Sequence, residues 1–174
     1  RNELSEMRKP ANPFILSGYH SPTYFCNRKL ELDWLVEQFD NERNAVVHAW
    51  RRIGKTALLK HFFYHLEIKK KAVCVFADLL GTATLQDANR RIATAIVHKF
   101  SETPQSIGAG LLKMIGSLGA TIGLDPQSGT PQVTFGLTPP RPAAVTMEAM
   151  GKFLSESKKP VVTCLDEYDD VHVQ

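Results

Sequence analysis

The chain has 174 residues, of which 43% are apolar and 22% are charged, and its net charge is +3. This composition is that of a globular chain able to bury a core, and it excludes collagen, coiled-coil and wholly disordered classes. No stretch approaches the roughly 18 uninterrupted apolar residues of a membrane span, and so small a net charge does not by itself indicate nucleic-acid binding.

The cysteines bear on the cellular compartment. There are three, they are far apart, and none forms a C-x-x-C pair, so the sequence predicts neither a zinc knuckle nor a disulfide framework. The first ten residues are polar and lack the apolar run of a signal peptide. We therefore expect a cytoplasmic protein with no membrane partner.

The first third of the chain predicts an irregular segment followed by a helix, a strand and a second helix. Residues 1–27 are interrupted by proline and glycine and carry interspersed aromatic residues. Apolar residues at helical spacing predict helices over 28–43 and from Lys55 to Ile68. Between them, the apolar run at 44–49 predicts a short strand.

The rest of the chain predicts strands alternating with helices. Continuous apolar runs at 72–77 and 160–165 are typical of buried parallel strands. Helical periodicity marks 85–100 and 146–156, the second with Met147, Met150 and Leu154 expected to face inwards. Strands alternating with helices predict an α/β fold with a parallel sheet.

The stretch 101–145 differs from its surroundings because it holds many of the glycines and prolines. Leu111, Ile115 and Leu118 indicate a helix within it, and residues 132–137 a short strand. We expect an insertion on a compact core, partly mobile.

Gly54-Lys55-Thr56 has the residue types of a phosphate site, between the predicted strand at 44–49 and the predicted second helix. A helix N-terminus supplies converging N–H groups and a favourable dipole, and glycine lets the backbone approach an anion closely. Lys55 can neutralise phosphate charge and the Thr56 hydroxyl can bind Mg²⁺. The full P-loop pattern has glycine four residues before Gly54, where this chain has Ala49.

A second motif follows the last predicted strand, which ends in Asp166-Glu167. A carboxylate at the C-terminal end of a buried parallel strand is placed to bind Mg²⁺ through water. The next carboxylate, Glu167, can polarise an attacking water.

With these motifs the chain resembles a P-loop ATPase of the additional-strand, catalytic-Glu division. Within that division it is most similar to the prokaryotic AAA-like ATPases related to the archaeal ATPase family and the signal-transduction (STAND) ATPases. Trp50 replaces a proline common in relatives, Tyr168 a phenylalanine, and Ala49 the first glycine. The resemblance covers about residues 12–100 and 146–171, and it is carried by Asn12-Pro13-Phe14, Tyr24-Phe25-x-Asn27-Arg28-x-x-Glu31-Leu32, Arg51-Arg52-x-Gly54-Lys55-Thr56 and Leu165-Asp166-Glu167-Tyr168.

For the fold, the resemblance implies a three-layer P-loop NTPase with a parallel sheet of order 5-1-4-3-2 flanked by helices. Only seven residues follow Glu167, so strands 4 and 5 and any arginine finger would be missing, and we expect a fragment of a longer protein. Residues 1–27 would form a segment near the nucleotide, and 28–174 a partial ATPase domain.

For the site, the resemblance implies ATP and Mg²⁺ as cofactors. Phe25 and Arg28 would lie near the adenine. Thr56 and Asp166 would bind Mg²⁺, and Lys55 and Glu167 would be catalytic, Glu167 as the base. The loop that holds the nucleotide would comprise Ala49, Trp50, Arg51, Arg52, Ile53, Gly54, Lys55, Thr56 and Ala57.

Three functions remain open on these residues. The first is an Mg²⁺-dependent ATPase that works as a molecular switch, and the second is a nucleotide-binding scaffold with little or no hydrolysis, which the missing glycine motivates. A small-molecule kinase is the third. Partners left open are a second copy, a partner protein, and nucleic acid bound through domains outside this sequence.

Other polar residues have simpler interpretations. His61 and His65 have metal-binding spacing on the second helix, but no third ligand is evident, which favours a solvated face. Arg51 and Arg52 either contact phosphate or a neighbouring subunit or are solvated. Asp78 follows the strand at 72–77 and is expected to cap the next turn.

Overall fold

The computed structural model describes residues 19–25, 27–50, 52–101, 108–124, 131–135 and 142–167. The chain divides into two compact units, Arg1–Lys69 and Lys70–Gln174. No helix within the described ranges is both long enough and apolar enough to cross a bilayer.

The first unit is built from two helices that pack together, α1 (Lys29–Asp40) and α2 (Lys55–Ile68). Both were predicted, and α2 has the predicted bounds. Ahead of α1, a single 3₁₀ turn spans Pro22–Tyr24, begun by the proline whose fixed φ suits a first helical position. The buried apolar side chains of these helices are Leu35 in α1 and Leu58, Leu59, Phe62, Phe63 and Leu66 in α2.

The strand predicted at 44–49 is absent, because residues 43–50 have no regular structure. Val46 is 88% exposed and Trp50 is 87% exposed. β-Branched residues favour a strand only where a neighbouring strand accepts their backbone hydrogen bonds and covers their side chains. Among the described residues, neither sheet includes this segment, so the prediction was wrong on this point.

The second unit contains a small parallel sheet of two strands, β1 (Val73–Asp78) and β4 (Val161–Asp166). The ladder is closed at its ends by the Val73 N–H, which donates to the Pro160 carbonyl (2.9 Å), and the Leu79 N–H, which donates to the Asp166 carbonyl (3.0 Å). Helix α3 (Leu85–Phe100) packs on β1 and has the predicted bounds. The class is therefore α/β, with a parallel sheet flanked by helices.

The N-terminus of α3 shows why sequence and structure agree there. The Thr84 hydroxyl oxygen accepts from the Asp87 N–H at 3.1 Å, and the hydroxyl donates to the Asp87 carboxylate at 2.8 Å. This reciprocal cap satisfies an N–H that the helix cannot pair internally.

One helix and two strands come from the stretch predicted as an insertion. They are α4 (Ala109–Ser117), β2 (Ala120–Leu124) and β3 (Pro131–Phe135), and β2 pairs with β3 in antiparallel fashion. The predicted strand at 132–137 corresponds to β3, whereas β2 was not predicted. Leu111, Met114, Ile115 and Leu118 are buried in the same apolar cluster as Val75 of β1. The described part of this stretch therefore contributes side chains to the apolar cluster of the second unit.

The last helix, α5 (Ala143–Ser155), packs on α3 and α4. Met150 is 3% exposed, and Leu154 packs against the cluster, but Met147 is 43% exposed. The expectation that Met147 faces inwards was therefore wrong. The Asn89 side-chain amide of α3 donates to the Ala143 carbonyl at 2.9 Å and ties the two helices together.

Candidate functional site

The candidate phosphate loop leads directly into α2. Gly54 is the N-cap residue, with φ +80°, and no side chain caps the helix. The first turn contains no acidic residue. Because the first N–H groups of a helix have no acceptor within the helix, an uncapped N-terminus carries donors and positive potential that suit an anion.

The backbone of the loop is held in an uncommon conformation. Arg52 has φ +67° and Gly54 has φ +80°, both in the left-handed region. Glycine adopts this region freely, whereas for arginine it costs about 1 kcal/mol or more. Nothing lies within 4 Å of the position that a Gly54 Cβ would occupy, so the positive φ, and not a lack of space, is what favours glycine here.

The predicted loop residues differ in exposure. Lys55, Thr56 and Ala57 form the start of α2 and are half-buried, as is Ala49. Ile53 is 45% exposed, and Arg52 and Trp50 are exposed. Arg51 lies outside the described residues. The strand that was expected to present this loop is absent, so the loop is defined by α2 and by contacts from the segment that precedes α1.

Arg28 makes one of those contacts. It is the residue before α1, and its Nη2 donates to the carbonyl oxygen of Ile53. Asn27 beside it has φ +62°, a left-handed conformation that asparagine tolerates better than most residues. The structure thus places one predicted nucleotide residue directly on the candidate loop.

Phe25, the other residue predicted to lie near the nucleotide, connects the segment before α1 to α2. Its ring stacks on the His61 ring with centroids 4.1 Å apart and 17° between the planes. The Tyr19 hydroxyl lies 3.0 Å from His61 Nδ1, and the Tyr19 and Phe25 rings meet edge to face at 6.2 Å. Residues 19–28 are therefore attached to α2 and to the loop by side-chain contacts.

His61 was predicted to lie on a solvated face, and this was wrong. It is half-buried among Tyr19, Phe25 and Tyr64. Burial, and then the neighbouring His65, lower the pKa of His61 below its ordinary value of 6.5. Burial, and then Tyr64, raise the pKa of Tyr19 to about 12. The several aromatic residues within 19–25 could have indicated a contact with another ring. No local pattern shows, however, that the partner is His61, about forty positions later.

The second candidate motif lies in the second unit, at the end of β4. Asp166 is 4% exposed, and its Oδ1 accepts from the Glu167 N–H at 3.2 Å. Asp78 of β1 is its neighbour in the ladder register. Asp78 is exposed and accepts from the Leu80 N–H at 2.9 Å, which confirms that it caps the following turn.

Glu167 has φ +56°, so the chain leaves the strand direction at this residue. Five described residues other than glycine have positive φ. Two of them, Glu42 and Lys70, lie just after helices, where left-handed backbone is common. The other three are Asn27, Arg52 and Glu167, all within the two candidate motifs or next to Arg28.

Mg²⁺ takes hard oxygen ligands and keeps several waters. The Thr56 hydroxyl and the Asp166 carboxylate are such donors, one in each unit. Within the described ranges, no group of three or more His, Cys, Asp or Glu side chains could by itself hold a metal ion.

Comparisons with protein-family models, curated proteins and solved structures gave no match for the chain.

Proposed function

We propose that the chain binds ATP together with Mg²⁺ and hydrolyses it as a molecular switch, in the manner of the AAA-like and STAND ATPases that its motifs resemble. The observation that carries the proposal is the N-terminus of α2. It has a glycine N-cap, no side-chain cap and no acidic residue in its first turn, and it continues as Lys55-Thr56. Those features suit a bound phosphate chain better than a solvated helix end.

Each residue has a role set by its chemistry. The N–H groups of the first turn of α2 donate to phosphate oxygens, and Lys55 places a positive charge beside them. The Thr56 hydroxyl and Asp166 would hold Mg²⁺, which would neutralise the charge that develops on the phosphates. Glu167 accepts a hydrogen bond from the attacking water and aligns it.

The family resemblance implies that both motifs act on one nucleotide. Lys55 and Thr56 belong to the first unit, and Asp166 and Glu167 to the second. The corresponding fold is the three-layer P-loop architecture with further strands, of which β1 and β4 would be the adjacent strands 2 and 3. Catalysis would then rest on positioning and charge neutralisation, with no covalent intermediate.

Titration calorimetry with ATP, ADP and GTP, with and without Mg²⁺, tests the binding step. We expect Mg²⁺-dependent, ATP-selective binding that Lys55→Ala weakens by at least about tenfold, since a charge-assisted contact of about 1.5–3 kcal/mol is removed. Lys60→Ala is the matched control, because Lys60 is an exposed lysine of the same helix. Equal binding by Lys55→Ala and the wild type would overturn the assignment.

A nucleotide-binding scaffold without hydrolysis is the second candidate. Ala49 stands where the P-loop pattern has glycine, and the segment before the loop is mostly exposed and without regular structure. Such a loop binds the phosphate chain through α2 alone and aligns it less strictly for attack. Binding without phosphate release would favour this candidate.

A further inference from the structure

We propose that Arg28 is a positioning residue of the phosphate loop: by holding the Ile53 carbonyl, it aims the Gly54 N–H at the bound anion. The inference rests on the proposed function, since it needs an anion at the N-terminus of α2. It assigns Arg28 to the phosphates, whereas the family resemblance implies a place near the adenine.

The contact that carries the inference is specific. Arg28 Nη2 donates to the Ile53 carbonyl oxygen, 25 positions along the chain. The backbone that carries Arg28 is anchored on both sides, because Arg28 directly precedes α1 and because Phe25, three residues earlier, stacks on His61 of α2. Both anchors lie in the same compact unit as the loop.

Through the geometry of the peptide unit, the contact of Arg28 with the Ile53 carbonyl fixes the direction of the Gly54 N–H. In a trans peptide the C=O of one residue and the N–H of the next point in opposite directions, and the described chain contains no cis peptide. When the Ile53 carbonyl points to Arg28, the Gly54 N–H must point away from Arg28. A donor fixed in this way is available to an anion on the other side of the loop.

The same peptide unit is able to turn over. Gly54 follows it with φ +80°, which lies in the left-handed region. Because glycine accepts positive and negative φ about equally, the Ile53–Gly54 peptide can rotate at little backbone cost. In the rotated form the Ile53 carbonyl oxygen would face the phosphates and repel them. Arg28 would then have lost its hydrogen-bond acceptor.

A guanidinium suits this role. It is planar, always charged and able to direct a fixed N–H at a carbonyl, whereas a lysine ammonium is a mobile point charge on a flexible stem. Arg28→Lys therefore keeps the charge and part of the contact. Arg28→Ala removes both.

The test compares two ligands that share the phosphate chain and differ in the base. Binding of Mg²⁺-tripolyphosphate and of Mg²⁺-ATP is measured by calorimetry for the wild type, Arg28→Ala, Arg28→Lys, Lys29→Ala and Lys55→Ala. Lys29→Ala is the matched control, because it removes one positive charge at the next, exposed position. Thermal unfolding of each variant shows which are folded.

We expect Arg28→Ala to weaken both ligands by the same factor, about tenfold, and Arg28→Lys to recover part of the loss. Lys29→Ala should stay within about twofold of the wild type. Weaker ATP binding with unchanged tripolyphosphate binding would overturn the inference, because Arg28 would then act on the base. Equal affinities in Arg28→Ala and the wild type would overturn it too.

Lys55→Ala separates this inference from the proposed function. If Lys55→Ala abolishes binding and Arg28→Ala does not change it, the phosphate site stands and only the role of Arg28 fails. If the wild type binds neither ligand, both proposals are overturned. If Arg28→Ala does not fold, a measurement on the wild type still tests the inference. The NMR resonance of the Gly54 amide proton should move downfield as tripolyphosphate is added. An unmoved resonance would contradict the proposed orientation.

Discussion

The ring of Phe25 lies nearly flat on the imidazole of His61, with the ring centroids 4.1 Å apart. This stack fixes the segment before α1 to the second turn of α2, while Arg28 fixes the end of the same segment to the loop at Ile53. A change in this segment should therefore alter the conformation of the loop and the start of α2. The stack accordingly contributes both to the stability of the first unit and to the shape of its candidate site.

Replacing the aromatic ring tests the contribution of the stack. Phe25→Leu keeps an apolar side chain and removes the ring–ring contact, so we expect a loss of about 1 kcal/mol in the free energy of unfolding. Both tryptophans, Trp34 and Trp50, lie in the first unit, so tryptophan fluorescence during urea unfolding reports on that unit. Leu30→Ala is the control at an 82% exposed position, where a change within about 0.5 kcal/mol is expected; equal effects would argue against the stack.

The lowered pKa of His61 predicts a dependence of stability on pH. Because the folded state disfavours the charged imidazole, the unfolded state binds more protons between the folded pKa and 6.5. The free energy of unfolding should be at its full value above pH 6.5 and should fall as the pH drops below it. His61→Gln removes the titration, so its stability should fall less steeply between pH 6.5 and 5; the same slope as in the wild type would contradict the prediction.

Glu167 distinguishes hydrolysis from binding alone. Glu167→Gln keeps the shape of the side chain and removes its charge, so we expect unchanged ATP affinity and a rate of phosphate release lower by about a hundredfold or more. Glu156→Gln, at an exposed position just after α5, should release phosphate at the wild-type rate. A wild-type rate no higher than that of Glu167→Gln would favour the scaffold.

Two neighbouring residues of α4 test whether this helix belongs to the core. Ile115 is 1% exposed and Leu112 is 51% exposed, and both are aliphatic side chains on the same helix. Ile115→Ala should lower the free energy of unfolding by about 2–5 kcal/mol because it opens a cavity. Leu112→Ala should change it by about 0.5 kcal/mol or less. Unfolding is followed by circular dichroism. Similar small losses of unfolding free energy in both variants would show that the helix is only loosely attached.

Local patterns predicted the helices well, because a helix satisfies its own backbone hydrogen bonds and shows its buried face in its periodicity. For α3, the stripe from Leu85 to Ile96 and the cap at Thr84 lie within one stretch of chain, so its bounds could be read directly. The phosphate role of the candidate loop stays a prediction, drawn from three consecutive residues, Gly54 to Thr56.

What the sequence did not predict depends on distant partners. The run at 44–49 has the composition of a strand, but a strand also needs a neighbour, which composition does not specify. Likewise, β2 exists because β3 pairs with it across several intervening residues. The contacts of His61 with Tyr19 and of Arg28 with Ile53 span 42 and 25 positions, beyond the reach of periodicity.

The hydrogen bonds that close the β1–β4 ladder have a consequence for handling the protein. Because Pro160 and Asp166 direct their carbonyls towards β1, the alternate residues Val161, Thr163 and Leu165 direct their backbone groups to the other edge of β4. No third strand pairs there among the described residues. Where strand 4 of the proposed architecture does not cover it, such an apolar, β-branched edge is a template for strands of other molecules. A chain without that strand should therefore self-associate through β4 at high concentration. A lysine at Thr163, which is exposed, would be the gatekeeper substitution that blocks it.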